Sequence, residues 1–208
     1  MEVNKFGLTG GIGSGKTYVS RLLEKEGFPI FNCDKAARKL MCEDVSLQSE
    51  LSSLTGTPVI TSSGELDKKI IGDYLFASPD HVKQVNALVH PLVRKTFLEW
   101  VDVQTSRSDS PKQWVGMECS ILFEARFDDL VDFIVSVYAP AEVRLQRVEQ
   151  RDHLTSEQIK RRMARQLPEK DKLERSDFVI QNDGKLPLAP QLKRLKSILQ
   201  AYELEKAD

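Results

Sequence analysis

Four glycines fall within the six positions from Gly10 to Gly15, and the run ends on Lys16 and Thr17. The spacing Gly10-x4-Gly15-Lys16-Thr17 is that of a phosphate loop, G-x-x-x-x-G-K-[ST]. Its surroundings suit it. Residues 3–9 read as a strand with a buried end. Residues 17–27 read as a helix with Val19, Leu22 and Leu23 on one face and Gly27 as the stop. A phosphate chain needs several backbone N–H groups converging on it, and only a loop poor in side chains wraps that tightly. The helix that follows adds unpaired N–H groups and a partial positive charge. Gly11, Ile12, Gly13, Ser14, Gly15 and Tyr18 are therefore assigned to the triphosphate of ATP through main-chain groups. Lys16 reaches the β- and γ-phosphates, and the Thr17 hydroxyl is a ligand for Mg²⁺.

Beyond the loop, strands and helices alternate. Residues 28–32, 113–119, 131–139 and 177–181 read as further strands. Residues 33–41, 140–152, 155–167 and 187–207 read as helices, with Thr155 or Ser156 as a cap. Residues 82–104 read as one long helix or as two interrupted near Pro91. Residues 105–112 read as a surface loop. The expected fold is α/β, of the P-loop NTPase kind, with a five-stranded, mostly parallel sheet flanked by helices. Two stretches fit the alternation poorly. Residues 43–90 read as a helical insertion that binds the acceptor. Residues 144–175, dense in basic side chains, read as a helical lid that excludes water. The core of this single domain is then about 1–42, 91–143 and 176–208.

Composition narrows the partners. The formal net charge of the 208 residues is -1, which argues against nucleic acid as a partner. No run approaches the ~20 apolar residues that span a membrane. Cys33, Cys42 and Cys119 match no metal-binding spacing and read as free thiols in a reducing compartment. A cleaved leader would remove the loop, so the expectation is a cytoplasmic monomer acting on a small molecule.

The words along the chain, in order, resemble one family. GLTGGIGSGKT, the CDKAAR segment, GELD at 64–67, HP at 90–91, ILFE at 121–124 and QLPEKDKLERSDFVIQN are similar to those of the dephospho-CoA kinases. The resemblance implies phosphorylation of the ribose 3′-hydroxyl of dephospho-CoA by ATP with Mg²⁺. The family's two aspartates around an alanine stand here as Asn32-Cys33-Asp34, and Ser120 replaces a proline.

Phosphoryl transfer is mostly positioning and charge neutralisation. Asp34, just past the second strand, matches the family's catalytic aspartate and would handle the acceptor hydroxyl. The spacing also allows it to be a helix cap. Arg38, one turn on, either binds substrate phosphate or pairs with Asp34. His90 belongs to the acceptor region by resemblance and is otherwise a structural hydrogen bonder. Glu118, at the end of the third strand, is a candidate to hold Mg²⁺ through water. Glu124 matches a family word and either contacts the acceptor or positions a basic residue; a helix N-terminal preference explains it nearly as well. In the basic segment, Arg147 and Arg151 lie four apart on one helical face and are assigned to ATP, Arg147 also to catalysis. Arg162 and Gln166 match the family's lid pattern and are assigned to the acceptor. Asn182, in Asn182-Asp183-Gly184, either borders the nucleotide or forms a plain turn. Asp132 reads as structural. The rivals are another small-molecule kinase, of nucleoside monophosphate or sugar-acid type, and a nucleotide-binding interaction module. A GTPase is disfavoured because no N-K-x-D segment occurs.

Overall fold

A computed structural model describes residues 3–107, 114–152 and 154–205. The elements run β1 (Asn4–Thr9), α1 (Lys16–Lys25), β2 (Ile30–Asn32), α2 (Cys33–Glu43), α3 (Val45–Thr55), α4 (Lys68–Ala77), α5 (Pro79–Arg107), β3 (Trp114–Glu118), β4 (Phe133–Tyr138), α6 (Ala141–Asp152), α7 (Ser156–Met163), α8 (Glu169–Glu174), β5 (Phe178–Gln181) and α9 (Leu188–Glu205). The chain divides into two compact units, Met1–Phe31 with Val101–Asp208, and Asn32–Trp100. Of the loop expected at 105–112, residues from 108 on lie outside the described ones. Among the described residues, no helix is long and apolar enough to cross a membrane.

The first unit is built on the sheet, whose strand order is β2-β3-β1-β4-β5. β1 lies parallel between β3 and β4, and β4 pairs in parallel with β5. Leu8 is opposite Glu118 and Thr9 opposite Ser136, so the carboxyl ends of the three central strands finish side by side. In such sheets the loops leaving these ends form the binding crevice. Alternation explains the core. Phe6 and Leu8 of β1, Phe133, Val135 and Val137 of β4, and Ile180 of β5 fall on one face. Val19 and Leu23 of α1 and Leu192, Leu195 and Leu199 of α9 complete that cluster. Trp114 closes it at the start of β3, where its indole N–H donates to the Leu199 carbonyl at 3.0 Å. Asp132 is structural, as expected. Its carboxylate accepts the Lys5 backbone N–H at 2.8 Å and faces the Lys5 ammonium.

The second unit is helical, with Leu47, Leu51, Val59, Ile71, Val85, Val89, Val93 and Phe97 buried. Short side chains start its helices. Asp44 caps α3 by accepting from Leu47 N–H, and Asp67 caps α4 by accepting from Lys69 and Ile70 N–H. The GELD word thus ends on a cap. α5 is one helix that runs through Pro91. The proline removes one N–H and disfavours helical dihedrals at His90. The apolar side chains buried on either side of it, Val85, Val89, Val93 and Phe97, outweigh that cost.

Two local expectations need adjusting. The helix read at 155–167 stops at Met163, and α8 begins separately after Pro168. Thr155, not Ser156, is the cap. It forms a reciprocal box in which its hydroxyl accepts from Gln158 N–H and the Gln158 side chain accepts from Thr155 N–H.

Candidate functional site

The loop leaves β1 and turns directly into α1. Gly10 has φ 143° and Gly15 φ 90°, values that L side chains rarely adopt. The space a Cβ would need is also taken, by the Val137 carbonyl at Gly10 and by the Asn182 amide at Gly15. Ser14 N–H donates to Gly11 O at 3.1 Å, which closes the turn. No side chain caps α1 at Gly15 and its first turn carries no acid, so its N-terminal field is left for an anion. The Lys16 ammonium lies at the loop mouth, donating to Gly10 O at 2.7 Å, with Gly11 O at 3.5 Å. Tyr18 contributes its N–H to Gly15 O at 3.0 Å, and its ring is exposed.

Thr17 and Glu118 meet. The hydroxyl donates to Glu118 Oε1 at 2.7 Å, and Glu118 is only 6% exposed. Strand register brings them together, because Glu118 ends β3 beside Leu8, two residues before the loop. Two hard oxygen donors at a helix N-terminus suit Mg²⁺, which is commonly held by one or two carboxylates, substrate phosphates and waters. Among the described residues, no group of three or more His, Cys, Asp or Glu is placed to hold a metal by itself.

The basic segment braces the loop from the other side. Arg147 on α6 and Asn182 after β5 both donate to Ser14 O, at 3.4 Å and 2.8 Å. Arg151 does not join them. Its guanidinium forks onto Asp152 at 2.7 and 2.9 Å, and that carboxylate holds it above its ordinary pKa. Gln166 spans two loops: its Oε1 accepts the Ile12 N–H at 2.9 Å and its Nε2 donates to Ser120 O at 3.2 Å. Arg162 lies in the last turn of α7, half-buried.

Glu124 positions basic and main-chain groups. It accepts the Leu167 N–H at 2.6 Å and pairs with Lys172 at 3.1 Å. It stands in a turn segment, so no helix N-terminus accounts for it. Lys172 is 0% exposed and also donates to Ser120 O at 3.2 Å. Next along, Arg175 lies 4.1 Å from the Phe123 ring centroid and pairs with Asp128 at 2.7 Å. The basic segment is thereby tied at its end to the turns after β3. Arg144 and Lys172 are the residues that the sequence does not single out. Arg144 stands one turn before Arg147 on the same helix face, a spacing that could have selected it. Nothing in the charge run marks Lys172 as buried.

In the second unit, Asn32 caps α2 by accepting the Lys35 N–H at 2.9 Å. The capping alternative for Asp34 therefore falls to its neighbour. Asp34 is exposed in the first turn of α2, with Arg38 exposed one turn later. His90 is half-buried on α5, and burial lowers its pKa from the ordinary imidazole value.

With this geometry in hand, comparison with known proteins is specific. Residues 5–187 match a family described as dephospho-CoA kinase. A dephospho-CoA kinase of Bacteroides fragilis is 44% identical over 195 residues, 94% of this chain and 92% of that protein. One of Acinetobacter baylyi is 32% identical over 180 residues, covering 86% and 89%. Among solved structures, the dephospho-CoA kinase of Campylobacter jejuni superposes with a TM-score of 0.68 at 26% identity, covering 97% of this chain and 100% of that one. A Thermus thermophilus protein superposes with a TM-score of 0.75 at 31% identity, covering 99% and 98%.

Proposed function

Because this chain belongs to the dephospho-CoA kinase family, we infer that it transfers the γ-phosphoryl of ATP to the ribose 3′-hydroxyl of dephospho-CoA, giving coenzyme A and ADP. One observation carries the donor half of the reading. An uncapped helix N-terminus, Lys16 and the Thr17–Glu118 oxygen pair converge at the end of a loop that tolerates only glycine at Gly10 and Gly15.

The loop N–H groups and the α1 N-terminus bind the donor phosphates. Lys16 exchanges its loop carbonyls for the β- and γ-oxygens and neutralises charge as the bond to the leaving oxygen lengthens. Thr17 and Glu118 are the residues that would hold Mg²⁺, which would supply positive charge against that of the donor phosphates. Arg147 follows the transferring group from the lid side, and Arg151 closes on the donor after releasing Asp152. Asn182 holds the loop against the nucleoside side. Asp34 orients the acceptor hydroxyl and takes its proton on a carboxylate oxygen as the oxygen attacks phosphorus. Arg38, His90 and Arg162 line the acceptor's path. Gln166 and Glu124 fix the lid to the loop and to the turns after β3. The protein works as a cytoplasmic monomer on a small molecule. Cys33, Cys42 and Cys119 stand outside any disulfide, which fits a reducing compartment, and its eluted mass in size-exclusion chromatography checks the subunit count.

The decisive assay incubates purified protein with Mg-ATP and a panel of acceptors: dephospho-CoA, nucleoside monophosphates and sugar acids. Coenzyme A and ADP in equal amounts are expected with dephospho-CoA alone. Phosphorylation of another acceptor class, or ATP binding with no product from any, would overturn the reading.

A further inference from the structure

One ion pair beside the loop has no part in the transfer described so far. Arg144 of α6 is 9% exposed, and its Nη1 lies 3.0 Å from Glu169 Oε2 as an ion pair. Each partner also carries an orphan. Arg144 Nε and Glu169 Oε1 are buried without a hydrogen-bond partner among the described residues. The pair lies against the phosphate loop. The Arg144 guanidinium fills the space that a Cβ on Gly11 would occupy, and Glu169 Oε2 is 2.5 Å from the same point. The Lys16 ammonium lies at Gly10 O and within 3.5 Å of Gly11 O. Two cations from distant parts of the chain thus flank the first residues of the loop. Lysines at this motif position address the β- and γ-phosphates, so this end of the loop is the terminal-phosphate end.

A largely buried ion pair in close contact at one point offsets its desolvation poorly, and each orphan atom adds to the cost. A phosphate group offers what the pair lacks, several oxygens that a guanidinium fork can grip at two points. We propose that Arg144 binds the γ-phosphoryl of the donor nucleotide, and that Glu169 is its resting counter-ion, exchanged for phosphate when a triphosphate enters. This rests on the kinase reading and adds to it a device for telling triphosphate from diphosphate. In the empty protein the carboxylate occupies the fork. A diphosphate ends short of the fork and leaves the pair closed. A triphosphate reaches it.

The test is calorimetric titration of Mg-ATP and Mg-ADP into the parent, R144K, R144Q and E169Q, with thermal melts of each. R144Q is expected to lose roughly ten- to a hundred-fold in ATP affinity, the range of one or two charge-assisted hydrogen bonds, with ADP affinity within about two-fold of the parent. R144K, which keeps the charge but not the fork, is expected between them. E169Q carries the opposite sign: it binds ATP at least as tightly as the parent, and ATP raises its melting temperature by more. If the pair only packs the lid root onto the loop, R144Q loses ATP and ADP alike and E169Q weakens ATP as R144Q does; either result overturns the proposal alone. A folded parent that binds neither nucleotide overturns the kinase reading and this proposal together. Should R144Q fail to fold, R144K and E169Q still decide it, because their ATP-to-ADP affinity ratios must move in opposite directions.

Discussion

At the scale of residues, Lys16 and Asp34 illustrate two different losses. In the proposed mechanism Lys16 serves donor phosphates through charge, in the ground state and more strongly as the phosphoryl departs. Lys16→Ala should cut kcat/KM by at least ~100-fold and also weaken ATP binding. Asp34 touches no donor group in the proposed mechanism. Asp34→Asn should lower kcat by about 100- to 10,000-fold, the usual worth of a general base, and leave the ATP dissociation constant within a few-fold. Turnover near the parent's would remove Asp34 from the mechanism, and lost ATP affinity would move it to the donor side. Thr17 and Glu118 permit a sharper test. Glu118→Gln keeps the hydrogen bond from the Thr17 hydroxyl but removes the charge. The Mg²⁺ concentration for half-maximal rate should rise by about 10-fold or more, and saturating Mg²⁺ should restore much of the activity. A magnesium profile that does not move would separate Glu118 from the metal. The loop residues are legible in the sequence because backbone wrapping demands particular residues at particular spacings. Arg144 can be grouped with Arg147 by helical spacing, but its partner across the fold cannot be read. Glu169 is 25 positions away, and a basic run looks the same whether it faces solvent or a loop.

At the scale of elements, helix boundaries are readable where a cap or a glycine marks them, as Gly27 does after α1, and not elsewhere. The α7 start can be placed at Thr155 or Ser156, and the structure selects Thr155, whose Gln158 partner lies three residues on. The end of α7 at Met163 and the separate α8 cannot, since EKDKLE is a short charged segment with no periodic apolar face. α2 repeats the lesson. Asn32 reads as a lost carboxylate, yet its side-chain oxygen does the capping. Asn32→Ala should cost about 1 kcal/mol of unfolding free energy, and Asp34, already in the helix, cannot substitute for it. If chemical denaturation finds no loss, the cap is energetically idle. α8 rests on Lys172, whose ammonium meets Glu124 and Ser120 O in the interior. Removing one member of such a pair typically costs about 3–5 kcal/mol. Lys172→Met keeps the volume and strands Glu124, so the lower end, about 3 kcal/mol, is expected, together with faster proteolysis within 153–176. An unchanged denaturation midpoint would show that packing, not the ion pair, holds α8.

At the scale of the whole molecule, the α/β plan is visible from the sequence because each strand is a short apolar run between a helix and a turn. Strand order is not visible: β3 pairs with β1 across more than a hundred residues, and nothing local encodes that. The division at Asn32 and Trp100 is equally hidden, since α5 carries the same pattern on both sides of it. A final property belongs to the chain as a whole. With 30 basic and 31 acidic side chains, net charge changes little between pH 8 and 5.5, because carboxylates stay ionised and lysines stay charged there. Among the described residues, the half-buried His90, whose pKa burial lowers, then contributes to the pH dependence of stability in that window. In the unfolded chain it protonates near pH 6.5, and in the folded protein only at lower pH. Between those values the unfolded state binds more protons. Stability is thus fully present above about pH 6.5 and is lost as pH falls from there through the folded value. Urea unfolding at pH 8, 7, 6 and 5.5 should show this decline in the parent. His90→Gln, which cannot titrate, should start less stable and decline less steeply. Equal slopes in the two proteins would move the pH dependence to another group and leave the buried His90 uncoupled from folding.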